Sequence, residues 1–447
     1  MGEFCGHIVL VAINAKFVHA SLSVRSLRAY AGSFIKLREF TINEPEELIE
    51  SELYAMQPGL LAFSCYIWNI EMVLRIVRTL RKILPEVKIV LGGPEVLASD
   101  ELSDIADALV IGEGEGAFAK LLEDYKAGQQ LQRVYHGKEY PLALEEIPFA
   151  YDNFDKPILY YESSRGCANS CAYCLAPSSV RFLPMKRVRE DLNKFLQAEV
   201  KQVKFVDRTF NCAREHAMGI WDFLIKRDNG KTNFHFELAG ELLDEEMISL
   251  IAKARKGLFQ FEIGVQSTNP KTIQAIQRRT DIEKLLENVR KLKKAGNVHL
   301  HLDLIAGLPH EDWGSITESF NTVMDCRPDH MQLGFLKLLR GSKLREEAKK
   351  YKIIYKDEPP YEILSNDCLG YAQINRLKMM AKMLRLFYNS GNFCLEEQLS
   401  RFDSPFAFFD GLAAYWEEND YHLVSHKRST LQRILDEFCS SLECKSE

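Results

Sequence analysis

No apolar run in this 447-residue chain approaches the ~20 residues needed to cross a bilayer, and Ile8 to Ile13 is among the longest. A spanning helix is therefore not expected. A disulfide framework is missing too: eleven cysteines in so long a chain are too few and too scattered for a stapled secreted fold, which points to a reducing, cytoplasmic setting. A basic surplus is absent, with 57 Lys+Arg against 63 Asp+Glu and a net charge of −6. Proteins that grip a long polynucleotide gain affinity by neutralising phosphates, so stable nucleic-acid binding is not expected, and a small or nucleobase-sized substrate suits this balance better than a tRNA. The patches Lys186-Arg187-Val188-Arg189 and Arg290 to Lys294 read as solvated helix faces. Gly2-Glu3-Phe4-Cys5-Gly6 lacks the basic start of a secretory leader and puts Gly6 where myristoylation wants Ser or Thr. Cys444-Lys445-Ser446-Glu447 fails as a prenylation box because Lys445 is charged. No membrane association is expected.

What is present is the composition of a globular protein, 46% hydrophobic and 27% charged, over a length that suggests about three domains at ~150 residues each. Strand and helix patterns alternate through the first 140 residues. His7 to Ile13, Leu60 to Cys65, Lys88 to Leu91 and Ala108 to Ile111 read as buried strands. Ser21 to Ala31, Asn69 to Leu84 (stopped by Pro85) and the stretch up to Tyr125 read as helices. This alternation predicts an α/β, doubly wound parallel sheet whose ligands sit at the carboxyl ends of the strands. Ile147-Pro148 and the Tyr151-Asp152-Asn153 turn read as a linker. A second series follows, with strands at Ile158 to Ser163, Gln202 to Val206, Phe234 to Leu238, Phe259 to Val265, His299 to Ile305 and Met331 to Leu338. Six βα units suggest a partial (β/α)6 barrel, with function in the loops at strand C-termini. From about Leu344 the pattern is mostly helical, with aromatic-rich pieces such as Ser404 to Tyr415. The expected domains are 1–145, 146–343 and 344–447.

The loop after the first strand of the second series carries Cys167, Cys171 and Cys174, spaced C-x3-C-x2-C, with Tyr173 just before the last. Four thiolates normally hold an iron–sulfur cluster. Three leave one iron for a non-protein ligand, as open catalytic metal sites do. The alternative is part of a structural zinc site, but no second C-x2-C occurs, and the other eight cysteines are scattered in the way of buried free thiols. Polar groups gather at the ends of the later strands, at Asp207-Arg208-Thr209, Glu237 to Gly240, Glu262 to Ser267 and Asp303 to Pro309. Packing alone does not call for them; a binding site does.

This spacing, with the aromatic in this place, resembles the radical SAM superfamily over roughly Ile158 to Gly341. The resemblance implies that Cys167, Cys171 and Cys174 hold a 4Fe-4S cluster and that S-adenosyl-L-methionine (SAM) is the second cofactor. It puts Tyr173 by the adenine, and Asp207 and Arg208 by the methionine moiety, although Val206-Asp207-Arg208-Thr209 replaces the usual Gly-Gly-Glu run. Glu262 and Gln266 stand at the ribose side, Arg279 at the SAM carboxylate, and Ile305, Gly307 and Leu308 around the adenine. For each residue a packing role is the competing reading; Glu262 could be a strand-end salt bridge and Gly307-Leu308-Pro309 a turn.

The N-terminal half resembles the cobalamin-binding domain that precedes such barrels in one subgroup, through Val90-Leu91-Gly92-Gly93-Pro94 and Val110-Ile111-Gly112-Glu113-Gly114-Glu115. The axial-ligand motif D-x-H-x-x-G is absent, which weighs against cobalamin as a third cofactor. A dinucleotide reading of the same glycines fails, since no complete G-x-G-x-x-G is present and Glu113 and Glu115 would repel a pyrophosphate. The loops around Asn14, Phe17 and His19, and around Tyr66 and Trp68, suit a planar heterocycle, with inter-domain packing as the other reading. Asp303 is a candidate for a bidentate pair with a base edge, with a turn-capping role as its alternative. The most specific expectation is lyase chemistry on queuine, releasing the aminomethyl-deazaguanine base, with flavodoxin or ferredoxin as electron donor. Cobalamin-dependent methyl transfer and a non-enzymatic iron–sulfur electron carrier are the alternatives.

Overall fold

The computed structural model describes residues 7–97, 100–176 and 179–443, so Gly2, Cys5, Gly6 and Cys444 lie outside the described residues. Packing divides the chain into two units. One comprises Met1–Arg165, Arg181–Val206 and Arg227–Phe234; the other comprises Gly166–Val180, Asp207–Lys226 and His235–Glu447.

The first unit is built on strands β1 (His7–Asn14), β2 (Lys36–Thr41), β3 (Pro58–Ser64), β4 (Lys88–Gly92), β5 (Ala108–Ile111) and β6 (Val134–His136), in sheet order β2-β1-β3-β4-β5-β6. All five pairings are parallel. Because helices cover both faces, the central strands are apolar throughout. Val9, Val11 and Ile13 face one core with the helices Glu46–Ala55 and Ile70–Ile83. Ile8, Leu10 and Ala12 face the other with Leu22–Ala31 and Gly114–Lys126. Chain order reverses between β1 and β3, where a doubly wound sheet opens its ligand crevice. The expected strands and helices of this half are present within a residue or two. β2 and β6 were not expected. They are the edge strands, and Lys36-Leu37-Arg38-Glu39-Phe40-Thr41 carries the charge that edges use to avoid pairing with another chain.

A second six-stranded sheet reads β14-β13-β12-β11-β10-β7, from β7 (Ile158–Tyr161), β10 (Gln202–Phe205), β11 (Asn233–Leu238), β12 (Phe259–Gln266), β13 (His299–Ala306) and β14 (His330–Phe335). Chain order equals sheet order, as six consecutive βα units require. Two short strands, β8 (Ser164–Arg165) and β9 (Arg181–Phe182), pair antiparallel and flank the cysteine segment in sequence. The tail is helical, as expected, through Tyr371–Met383, Pro405–Glu418 and Arg428–Glu443. A small hairpin, β15 (Ile354–Tyr355) with β16 (Ile363–Ser365), precedes the helices and was not expected. Ser404 caps the helix Pro405–Glu418 by accepting from the Ala407 N–H at 3.2 Å, and Phe408, Phe409, Leu412 and Trp416 on that helix are fully buried.

Buried charge fixes part of the first unit. Arg25 Nε donates to Glu39 Oε1 at 2.7 Å, with both side chains about 5% exposed, and Asn14 Nδ2 donates to Glu39 Oε2 at 3.3 Å. Removing one partner of such a pair strands the other charge in a poorly solvated place, at a cost of about 3–5 kcal/mol. Arg25→Leu should therefore lower unfolding stability by roughly 3 kcal/mol in urea titration. Arg28→Ala, which breaks a mostly exposed pair with Asp152, should cost no more than about 1 kcal/mol. Equal effects would contradict this assignment.

Candidate active site

The cysteine loop is shaped by backbone contacts. Gly166 has φ +107°, and a Cβ there would lie 1.9 Å from the Ser179 carbonyl oxygen, so only glycine lets the two ends of the loop approach. The Ala172 N–H donates to the Ile276 carbonyl at 2.8 Å, and the Leu344 N–H donates to the Ala172 carbonyl at 2.7 Å, pinning the middle of the loop on two sides. A turn from the Cys174 N–H to the Cys171 carbonyl, 3.0 Å, sets the last two cysteines. Cys167, Cys171 and Cys174 are all free thiols, buried, half-buried and exposed in turn. Backbone N–H groups already point at the sulfurs: Asn169 at Cys167 Sγ and Ala176 at Cys174 Sγ, each at 3.4 Å, while Thr209 Oγ1 is 3.4 Å from Cys167 Sγ. Such donors stabilise sulfur that carries negative charge, so the set fits a cluster held by three thiolates.

Beside the loop, burial pushes the Tyr173 hydroxyl far above its ordinary value, against the opposing effect of the Arg278 guanidinium. Arg278 Nη2 donates to the Gly264 carbonyl at 2.7 Å, while its buried Nε has no hydrogen-bond partner among the described residues. Burial works against this cation, but the neighbouring Tyr173, Cys171 and Glu241 keep it charged. Arg279, the residue expected at the SAM carboxylate, is exposed, whereas Arg278 is the arginine that reaches the cysteine loop. The sequence singles out Arg279 alone, and nothing in its pattern tells which of two adjacent arginines turns inward. Gln266 sits at a register shift in β12 with φ +70°, a bulge that re-aims its side chain, and its buried Oε1 has no hydrogen-bond partner among the described residues. Unpartnered buried donors and acceptors of this kind suit a polar ligand with a carboxylate and hydroxyls.

The remaining expected residues fall in separate places. Asp207 is fully buried near Cys212, and Arg208 is exposed. Asn211 exchanges two hydrogen bonds with the Ala239 backbone, 2.8 and 2.9 Å, tying the loop after β10 to the end of β11. Ile305 is half-buried on β13, and Gly307 and Leu308 follow in a turn whose carbonyls accept from Asn366 Nδ2. Glu262 lies 3.0 Å from His235 Nε2, and Asp303 lies 2.9 Å from His301 Nε2. In the first unit, Tyr66 and Trp68 stack on one another at 4.4 Å, and Trp68 Nε1 and Asn69 Nδ2 both donate to the Ile13 carbonyl. The Tyr66–Trp68 loop therefore joins the Asn14 loop at the crevice between β1 and β3. Phe17 is 68% exposed with Lys156 Nζ 3.7 Å from its ring centre. Gly93, φ +118°, packs so closely that a Cβ would lie 2.5 Å from the Cys65 carbonyl oxygen. Glycine turns at strand ends and a shared two-loop crevice fit a large flat ligand laid over the sheet's edge.

Comparison with known proteins gives this geometry its class. Residues 161–323 match the model of the radical SAM superfamily, residues 8–122 that of the B12 binding domain, and residues 349–447 a model described as a protein of unknown function, DUF4080. The protein thus joins a B12-binding domain to a radical SAM domain, the combination found in cobalamin-dependent radical SAM enzymes. The cofactors of these domains are a 4Fe-4S cluster, SAM and cobalamin, so the missing axial motif did not count against cobalamin as expected. Among sequence relatives, 2-(S-pantetheinyl)-carbapenam-3-carboxylate methyltransferase of Streptantibioticus cattleyicolor is 26% identical over 67% of this chain and 50% of its own length. The cobalamin-dependent radical SAM methyltransferase TokK of Streptomyces tokunonensis is 24% identical over 60% of this chain and 45% of its own. The chain therefore spans about half the length of these relatives. Among solved structures, the cobalamin-dependent SAM radical enzyme OxsB with aqua-cobalamin bound has the same fold, with a TM-score of 0.66 at 15% identity over 97% of this chain and 75% of that one. These likenesses lend no support to the lyase chemistry on queuine, and they favour methyl transfer. Among the described residues, no helix is long and apolar enough to cross a membrane.

Two outcomes follow. Arg278→Met should weaken SAM binding at least about tenfold by calorimetry, the cost of losing one charge-assisted pair. Arg279→Met should leave it within about twofold, and the reverse order would refute the placement. Separately, Glu311 is fully buried, and burial pushes its carboxyl up to about 7 although Ser267 donates to it at 2.6 Å. The folded protein holds this proton more tightly than the unfolded chain, so the associated stability is complete below the unfolded pKa and is lost as pH rises through about 7. Between pH 5 and 8 the wild type should lose on the order of 2–3 kcal/mol more stability than Glu311→Gln, measured by urea unfolding at both pH values.

Proposed function

We propose that this protein is a cobalamin-dependent radical SAM methyltransferase acting on a small molecule. The observation that carries the reading is the pairing of the three-cysteine loop with a B12-binding domain in one chain, supported by the methyltransferase relatives. When bound, the cluster, SAM and cobalamin supply the one-electron and methyl-group chemistry, and the protein supplies placement and exclusion of competing reactions. In this reading Cys167, Cys171 and Cys174 hold the cluster, while the backbone N–H groups of Asn169 and Ala176 support its sulfur ligands. Arg278 takes the SAM carboxylate, Gln266 offers its free acceptor to the ribose, and Tyr173 closes the site beside the adenine. The crevice between β1 and β3, with Asn14, Tyr66 and Trp68, receives the corrin. The electron for the cluster comes from an external donor.

The substrate class rests on charge: a net −6 disfavours a polyanion. The deciding experiment is anaerobic reconstitution with iron, sulfide and cobalamin, followed by SAM and reductant, reading corrin absorption, iron content and SAM breakdown together. Stoichiometric corrin with both S-adenosylhomocysteine and 5′-deoxyadenosine formation is expected. Cys171→Ala should lose the visible cluster absorption and both products while keeping the corrin. Full turnover without corrin would return the lyase reading to first place.

A further inference from the structure

Neighbouring strands β11 to β14 carry a row of ionisable side chains; one of them, Glu262, is expected at the SAM ribose from the family resemblance, but the proposed function gives that place to Gln266 and uses none of the row. In register, Glu262 of β12 stands opposite His301 of β13, and His301 stands opposite His330 of β14. His235 of β11 extends the row, with Nε2 3.0 Å from Glu262 Oε2. Asp303, two residues along β13 on the same face, places Oδ1 2.9 Å from His301 Nε2, and His301 Nδ1 is 3.6 Å from Glu262 Oε2. The side chains of His235, His301 and Asp303 are 4, 12 and 13% exposed. A face shielded to this degree would be more stable filled with apolar side chains, since two carboxylates lose hydration there.

We propose that Glu262, His301 and Asp303 bind one divalent first-row transition-metal ion, separate from the iron–sulfur cluster. One donor atom from each falls within 4.8 Å of the other two. Donors about 2.1 Å from a shared ion lie roughly 3.4 Å apart in a tetrahedron, a difference that side-chain rotation closes. Two carboxylate oxygens and one imidazole nitrogen form a mixed set suited to Zn²⁺, Fe²⁺ or Mn²⁺ rather than to soft thiolate-seeking metals. An ion would neutralise the paired carboxylates, which burial otherwise disfavours. The supporting groups are of the kind that surround metal ligands. His235 Nε2 lies 3.0 Å from Glu262 Oε2 and would orient that carboxylate. The ring of His330 lies 4.1 Å from that of His301. Three protein ligands leave positions open for water or a substrate oxygen.

The test uses the full chain with its cluster oxidised and diamagnetic, titrated with Mn²⁺ under electron paramagnetic resonance, in which bound ions drop out of the free-ion signal. One equivalent should be taken up and then displaced by Zn²⁺, which binds N/O sites more tightly. His301→Ala and the near-isosteric Asp303→Asn should each lose it, and His235→Ala should weaken it roughly tenfold to a hundredfold. Cluster absorption retained in the same samples shows that the variants are folded. Cys171→Ala should keep the Mn²⁺ site, which separates this proposal from the radical SAM assignment. Uptake unchanged in both ligand variants, or no uptake of Mn²⁺ or Zn²⁺ by the wild type, would overturn it.

Discussion

The close approach of Gly166 to the Ser179 carbonyl governs whether three thiols can serve one cluster. A loop of this length carries a large closure entropy, and three cysteines spread along a free loop would meet only transiently. Removing one Cβ lets the backbone fold against itself at the neck. The hydrogen bonds from Ala172 to Ile276 and from Leu344 to Ala172 then fix the middle. The same contact with Ile276 binds the loop to the segment that carries Arg278, so the three cysteines and the buried cation are placed by one piece of backbone. Alanine at 166 would set a side chain inside the Ser179 carbonyl and move both.

The two sheets treat polarity in opposite ways. In the first, β1, β3 and β4 are apolar on both faces, and the chemistry is confined to the loops at their carboxyl ends. In the second, β12 and β13 alternate buried and half-buried residues along their length, and the half-buried set includes Glu262, Gln266, His301 and Asp303. Alternation on a parallel strand is a costly pattern, because both faces are normally covered. It persists where one face looks into an interior that must hold polar ligands.

Much of this was legible in the chain. The apolar runs located the strands of both sheets, and the cysteine spacing located the loop. Edge strands escaped because Lys36 to Thr41 is too polar, and Val134 to His136 too short, to stand out from loops. The site was legible only in outline. Spacing identifies ligands that are close in sequence, as the three cysteines are, but which of Arg278 and Arg279 turns inward depends on the bulge at Gln266 and on the Gly264 carbonyl that accepts from Arg278. Tyr66 and Trp68 were recognisable as a pair on one loop; their mutual stacking, which leaves each only one ring face for a ligand, needs three-dimensional placement.

The ionisable row was in plain view as well, in Phe234-His235-Phe236-Glu237, Phe261-Glu262-Ile263 and His299-Leu300-His301-Leu302-Asp303, yet each piece alone reads as a strand with a polar side. Only register makes it a cluster. Glu262 opposite His301, and His301 opposite His330, follow from parallel pairing in which a slip by one residue would send every one of these side chains to the other face. The hydrophobic residues between them, Phe261, Ile263, Leu300, Leu302 and Leu304, are fully buried and lock that register. The apolar face of β12 and β13 therefore determines the geometry of the polar face. Gln266, four residues beyond Glu262 on the same strand, lies past the register shift that follows Gly264, so the bulge rather than this pleat sets where its side chain goes.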